Sequence, residues 1–288
     1  MAIAHPDSTT FLNRTGVALV VVSACVFSTA GIFTRGVSTA AWDVIFWRGL
    51  AAALFTIFYL VSRGSLLSEI RAFGRPALLV TFLMAAGTAA FIPAFKLSSV
   101  ANVALIYSAA PFLAAALSWI FIRETPSRRV LTASIASLLG VLLIVSDSLG
   151  EARLAGDLLA MLMTLCMAGV MVTYRARPET TAALPAALSS VLLVPVALLF
   201  GQPLEVAQGE LPVLVLFGLV FAIASVTLSE GARRLPSAET ALLSSLEMPL
   251  APILAWLVLA EQPSSRVMVG GLVVFLAVVL SQRRKRAV

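Results

Sequence analysis

SSLEMPLAPILAW, residues 244–256, sets a carboxylate among leucines, alanines and prolines. Glu247 has no other charged residue within seven positions on either side. The same chain carries a similar segment earlier, YSAAPFLAAALSW at 107–119, without the acid. The surroundings of both segments are equally apolar. Of the 288 residues 60% are hydrophobic and 12% charged, with a mean hydropathy of +1.02. A soluble domain averages about 25% charged residues, so this chain has no polar coat to face water. A bilayer core of about 30 Å takes about 20 apolar helical residues to cross. Ten such runs fit the sequence, approximately 14–36, 40–62, 76–97, 99–122, 129–147, 154–175, 183–200, 211–232, 237–259 and 266–282. They leave no room for a soluble domain.

The runs are continuously apolar, whereas barrel strands would alternate over about 10 residues. Helices also satisfy their own backbone in lipid. The expected fold class is therefore an all-α integral membrane protein of ten transmembrane helices. The opening MAIAHPDSTTFLN has no basic n-region, and the first run ends in GIFTRG without a clear cleavage site. That run reads as a retained span. Cys25 and Cys166 both fall inside runs and suggest no disulfide framework.

Basic residues orient the spans. With the N-terminus cytoplasmic, the inner segments hold Arg14, Arg63, Arg71, Arg75, Arg123, Arg128, Arg129, Arg175, Arg177, Arg233, Arg234 and the 283–286 tail RRKR. The outer segments hold Arg35, Lys96, Arg153 and Arg266, and Arg48 lies within a span. Fifteen against four is a strong positive-inside bias, which predicts both termini in the cytoplasm. The tail follows a span directly, so it reads as a membrane flank and not as a nucleic-acid site.

The echo of the opening stretch extends along the whole chain. Leu97, Ser99 and Pro111 match Leu235, Ser237 and Pro249 at an offset of 138. Glu124, Pro126 and Arg129 match Glu261, Pro263 and Arg266 at 137, and Gly16 and Arg35 match Gly156 and Arg175 at 140. The expected organisation is two five-helix repeats, 1–150 and 151–288. Five spans per repeat is an odd number, so the second repeat enters the membrane from the opposite side. Inverted repeats recur in secondary transporters, with the substrate site near the midplane where they meet.

These features resemble the drug/metabolite transporter superfamily. The residues that carry the resemblance are the ten runs in two halves and the fourth and ninth runs, which end in proline, Trp and then RETPS (123–127) or AEQPSS (260–265). More narrowly the chain resembles the EamA-like permeases, and among them the YddG-type exporters of aromatic and other amino acids. The resemblance implies a bacterial inner-membrane location and alternating access through a central cavity lined by spans 1–4 and 6–9. It also implies a small-molecule substrate such as an amino acid.

A charge at mid-bilayer costs about 2.5–3.5 kcal/mol, so each one needs a wet cavity or a partner. Glu247 is near the centre of the ninth run, and its repeat counterpart is Ala109. It is read as a site for a substrate ammonium or a coupling proton, or as one half of a buried ion pair. Arg48, in the second run five residues after Asp43, is the partner for such a pair or else a site for a substrate carboxylate; its counterpart is Leu188. Thr88, Phe91, Phe95, Asn102, Tyr107 and Ser108 in the third and fourth runs are candidate cavity-wall residues. So are Ser244 and Ser245 beside Glu247, although interhelical hydrogen bonding also accounts for small polar residues in lipid. Pro93, Pro111, Pro249 and Pro252 interrupt spans and are candidate hinge or gate positions. The tryptophans lie mostly towards span ends, where they serve as interfacial anchors. Glu230, just before Arg233 and Arg234, reads as an interfacial charge cluster.

Other function classes lack their chemistry. The one histidine, His5, is in the N-terminal tail, so neither an intramembrane zinc motif nor a Ser/His dyad can form. No P-loop is present for an ATP-driven pump, and no rings of like charge for a channel. No cofactor, metal or nucleic acid is expected. With both repeats in one chain, a functional monomer in the lipid bilayer is the expectation.

Overall fold

The computed structural model describes residues 6–35, 37–98, 103, 106–145, 154–259 and 264–282. Among them the regular structure is helical, with thirteen α-helices and one 3-10 turn. The first half contains α1 (Pro6–Phe27), α2 (Ala30–Arg35), α3 (Ala41–Ser62), α4 (Leu66–Arg71), α5 (Arg75–Leu97), α6 (Ala110–Ile122) and α7 (Arg128–Val145). The second contains α8 (Leu154–Ala176), α9 (Ala183–Phe200), α10 (Leu211–Ala232), α11 (Ser237–Ser244), α12 (Glu247–Leu259) and α13 (Ser265–Gln282). Asn102 and the Glu261 and Pro263 motif positions lie outside the described residues, as do the side chains of Arg35, Phe95, Lys96 and Pro252.

Among the described residues, seven stretches are long and apolar enough to cross a membrane, against the ten expected. They fall on α3, α5, α8, α9, α10, α11 with α12, and α13. Of the remaining expected spans, the first is an apolar helix, Arg14–Phe27, broken at Ser28 and Thr29. The fourth is described mainly as the short apolar α6, and the fifth is α7. The outside of the bundle suits lipid: Phe121 and Leu199 stand 73% and 81% exposed.

The helices pack so that exchanging the two halves reproduces the contacts. α5 lies along α8, as α1 lies along α10. α3 packs on α10, as α9 packs on α5. α3 meets α9, α6 meets α11, and α7 meets α13. Small residues allow these approaches, as is general where lipid removes the hydrophobic drive between helices. A Cβ on Gly140 would come 2.7 Å from the Gly270 carbonyl oxygen, and one on Gly218 2.7 Å from that of Arg48. Gly16 packs on Leu235, where a Cβ would come 2.9 Å from Cγ; its repeat mate Gly156 packs on Leu97 and Ser98, the counterparts of Leu235 and Pro236.

Both repeats also break a helix at matching places. Ser108 and Ala109 turn before α6, and Ser245 and Leu246 turn before α12. Pro111 and Pro249 sit just after these turns, at helix starts and not in the middle of a helix. They stand second in α6 and third in α12, where the missing N–H would have no helical partner in any case. Pro93 does lie inside its helix, α5, and the backbone of Pro252 lies within α12.

Two carboxylates, Glu69 and Glu210, bind backbone N–H groups at the starts of elements in the opposite half. Glu69 on α4 accepts the Leu184 N–H at 2.7 Å, at the start of α9. Glu210, just before α10, accepts the Ser38 N–H at 2.9 Å, the Thr39 N–H at 3.2 Å and the hydroxyls of both residues, just before α3. Burial raises the Glu69 carboxyl above its usual range against these backbone bonds. The Thr39 hydroxyl and then the Ser38 bonds hold Glu210 down to about 2. A depressed folded-state value stabilises the fold above the ordinary carboxylate range, and that gain disappears as pH falls through about 2. Glu210→Gln is therefore expected to melt below the wild type at pH 6 in detergent. The gap should narrow as pH falls from about 4 towards about 2; a gap independent of pH would contradict the cap.

Candidate functional site

Arg48 sits on α3, 2% exposed, where α3 crosses α10. Among the described residues it makes no ion pair, and its Nε has no hydrogen-bond partner. Its guanidinium lies over the Phe221 ring at 4.2 Å and the Phe217 ring at 5.3 Å. The ring faces supply a partial negative surface without cancelling the charge. Phe217, Phe221 and Ser225 recur every fourth residue, which places them along one face of α10. The Ser225 hydroxyl on that face is buried without a partner among the described residues.

Asp43, near Arg48 in sequence, is committed elsewhere: its Oδ1 accepts the Gln202 N–H at 2.7 Å. The Trp47 ring N–H donates to the Pro203 carbonyl at 2.8 Å, so this indole anchors the loop after α9. Glu230 pairs with Arg233 at 2.8 Å and also with Arg234, forming the expected charge cluster.

Glu247 opens α12 immediately after the turn at Ser245 and Leu246, and is half-buried. Its carboxyl sits at the N-terminal end of a helix, where the backbone dipole favours an anion. Among the described residues it has no ion pair or hydrogen bond. Tyr107, just before the matching turn of the first half, is within electrostatic reach of it. The buried ion pair between Arg48 and Glu247 does not form in this structure.

The broken first span contacts the surroundings of both residues. Phe27 at the end of α1 meets Phe221 edge-on at 5.9 Å, and Phe33 of α2 stacks on Phe217 at 5.2 Å. The helix that Glu247 opens, α12, packs on both α1 and α2. The break is held by Ser28 and Thr29, whose hydroxyls donate to the Cys25 and Val26 carbonyls at 2.6 and 2.7 Å.

The remaining candidates divide. Phe91 packs in the apolar cluster around Phe46 and Trp47 and also in the one containing Tyr107, so it links the two sides. Thr88, one turn earlier on α5, is half-buried, and Ser108 is buried in the turn before α6. Ser244 donates to the Thr240 carbonyl at 3.0 Å, and Ser245 to that of Leu242 at 2.6 Å. The Ser245 oxygen is also 3.2 Å from that of Ser137 on α7, so both hydroxyls are used in holding the helices. Among the described residues no group of His, Cys, Asp and Glu is placed to hold a metal.

Two copies of the EamA-like transporter family model match the chain, at residues 14–146 and 154–282. The chain belongs to the EamA-like transporter family. That family lies within the drug/metabolite transporter superfamily, so the protein is a multi-pass membrane transporter of small molecules built from two repeats. No curated protein matches the sequence. Among solved structures, one crystal structure at 17% identity aligns with a TM-score of 0.81, covering 99% of this chain and 100% of the other. At that identity the likeness shows the fold alone.

A buried cation without a carboxylate contributes a desolvation cost and no ionic gain. Arg48→Leu is therefore expected to melt no lower than the wild type in detergent while transport is lost. A fall of several degrees in Tm would reveal a structural partner for Arg48.

Proposed function

We propose that this transporter exports amino acids, aromatic ones included, by alternating access between two inverted five-helix repeats. The observation that carries the reading is the pair of unmatched charges. Arg48, backed by two phenyl rings, presents a cation with no ionic partner among the described residues. Glu247 presents an anion at a helix break. Together they complement a carboxylate and an ammonium, the two ends of a zwitterion. The aromatic walls at Phe91, Phe217 and Phe221 suit an apolar or aromatic side chain between them. Thr88, Tyr107 and Ser108 are proposed as further wall residues, with Phe95 and Asn102 assigned from sequence. Ser244 and Ser245 support the site by fixing the break.

The inverted arrangement is supported by the odd number of runs per repeat, and the exchange symmetry of the packing supports the duplication. It is also supported by the caps, since Glu69 and Glu210 are 141 residues apart in sequence and belong to loops on opposite faces in the proposed topology. Repeats 1–150 and 151–288, ten spans and both termini in the bacterial cytoplasm follow from the same reading. An impermeant thiol reagent added outside should then fail to label a cysteine at position 71. The paired helix breaks, with Pro111 and Pro249 just after them, are proposed as the hinges. Glu124, which accepts the Arg175 Nη2 hydrogen bond at 2.8 Å, ties α6 to α8 on the basic face. A second reading, export of other drugs or metabolites, uses the same cavity.

The test is flux in proteoliposomes with an amino-acid panel, run with and without a pH gradient. Glu247→Gln is nearly isosteric and deletes only the charge. It is expected to cut transport of zwitterionic solutes at least tenfold while expression and melting stay at wild-type levels. If flux is kept but its response to the pH gradient disappears, Glu247 carries a coupling proton and not the ammonium. Wild-type flux at every pH would exclude both roles.

A further inference from the structure

We propose that the groove between α5, α6 and α8 on the basic face of the bundle binds an anionic phospholipid. The groove has a volume of about 600 Å³ and an apolar wall that includes Leu79, Phe121 and Leu165. These side chains are 50%, 73% and 46% exposed, so the wall opens outward to the bilayer and is separate from the site between Arg48 and Glu247. Gly169 contributes to the lining without a side chain and keeps the space clear.

Charge selects the occupant. Arg75 at the start of α5 and Arg177 just after α8 both line the groove. Each is exposed, and among the described residues neither side chain has an ion pair or hydrogen bond. Their neighbours are matched: Arg175 with Glu124, and Arg233 and Arg234 with Glu230. Two free guanidiniums at the rim of an apolar groove suit a phosphate diester above and acyl chains below, because arginine binds phosphate through a planar fork. The length fits as well. From Leu165 to Arg177, α8 rises about 18 Å at 1.5 Å per residue, close to the depth of one leaflet, about 15 Å.

The basic pair is not part of the duplicated scaffold. Pro76 and Pro212 both stand second in their helices, which makes Leu211 the counterpart of Arg75. At the offset of 140 that relates Arg175 to Arg35, the counterpart of Arg177 is Val37. The arginines at the rim are therefore particular to this half of the chain. The inference rests on membrane embedding and does not require the substrate proposed above.

The experiment uses the delipidated full chain in detergent. Melting is measured with phosphatidylglycerol, with phosphatidylcholine of the same acyl chains, and with glycerol 3-phosphate as the headgroup alone. Phosphatidylglycerol is expected to raise Tm by about 4 °C more than phosphatidylcholine, and glycerol 3-phosphate to leave it unchanged. Arg75→Gln with Arg177→Gln should remove the excess, and the paired lysine variant should retain most of it. Arg63→Gln with Arg71→Gln, on the same face outside the groove, should keep it in full. Should the glutamine variant fail to fold, native mass spectrometry of the wild type decides, with preferential retention of phosphatidylglycerol expected. Equal stabilisation by both lipids, an equal effect of glycerol 3-phosphate, or an equal loss in the Arg63 and Arg71 variant would overturn the proposal.

Discussion

Lipid gives a charged side chain no solvent, and this structure spends its polar groups accordingly. Asp43 is used on the Gln202 N–H, Glu124 on Arg175, and Glu230 on Arg233 and Arg234. Glu69 and Glu210 cap backbone at the two ends of the bundle. Trp47 gives its ring N–H to a loop carbonyl. After these pairings, Arg48 and Glu247 remain deep within spans with no ionic partner among the described residues, while Glu239, also without one, stands in the first turn of α11. Arg48 and Glu247 each cost about 2.5–3.5 kcal/mol if they face hydrocarbon, and each is placed where that cost can be reduced. Phenyl rings lie under Arg48, and a helix N-terminus holds Glu247. In the proposed function, the remaining cost is reduced further by a substrate that brings both a carboxylate and an ammonium.

The same constraint explains why the helices break where they do. Unpaired backbone is tolerated at membrane depth only where it borders a cavity or is buried in protein. The turns at Ser108 and Ser245 fall at matching points of the two repeats, and Ser245 closes its own turn by bonding the Leu242 carbonyl. The third break, at Ser28 and Thr29, has no counterpart at the same offset in α8. This asymmetry adds to the asymmetry of Glu247 against Ala109, so the duplicated frame encloses unlike chemistry.

The helical class, the two repeats, the isolation of Glu247 and the depth of Arg48 were all legible in the sequence, because lipid makes hydropathy and charge unusually informative. The Glu230 cluster was legible too, since its arginines follow at helical spacing. The ring partners of Arg48 were not, because the register of α3 against α10 is set by the close approach at Gly218. The four-residue recurrence of Phe217, Phe221 and Ser225 was the available signal. That Pro111 and Pro249 start helices was not legible, because a proline at a helix start and one in its middle look alike within a long apolar run. Glu69 and Glu210 carry no motif in the sequence, and their 141-residue separation, close to the repeat offset, is the only signal of their paired work. Ser244 and Ser245 show how a polar residue beside a candidate site can be spent on the scaffold.

The central claim is that the halves exchange conformations, so that closing one face opens the other. It is tested most directly with a chain in which Cys25 and Cys166 are replaced by alanine and the Glu124–Arg175 ion pair by two cysteines. Spin labels at Val37 and Ser264 report on the opposite face. With the disulfide formed, the account predicts that the distance between the labels settles at its longer values, and that reduction restores a shorter population. A label distance that does not respond to the disulfide, or that shortens when it forms, would contradict the exchange.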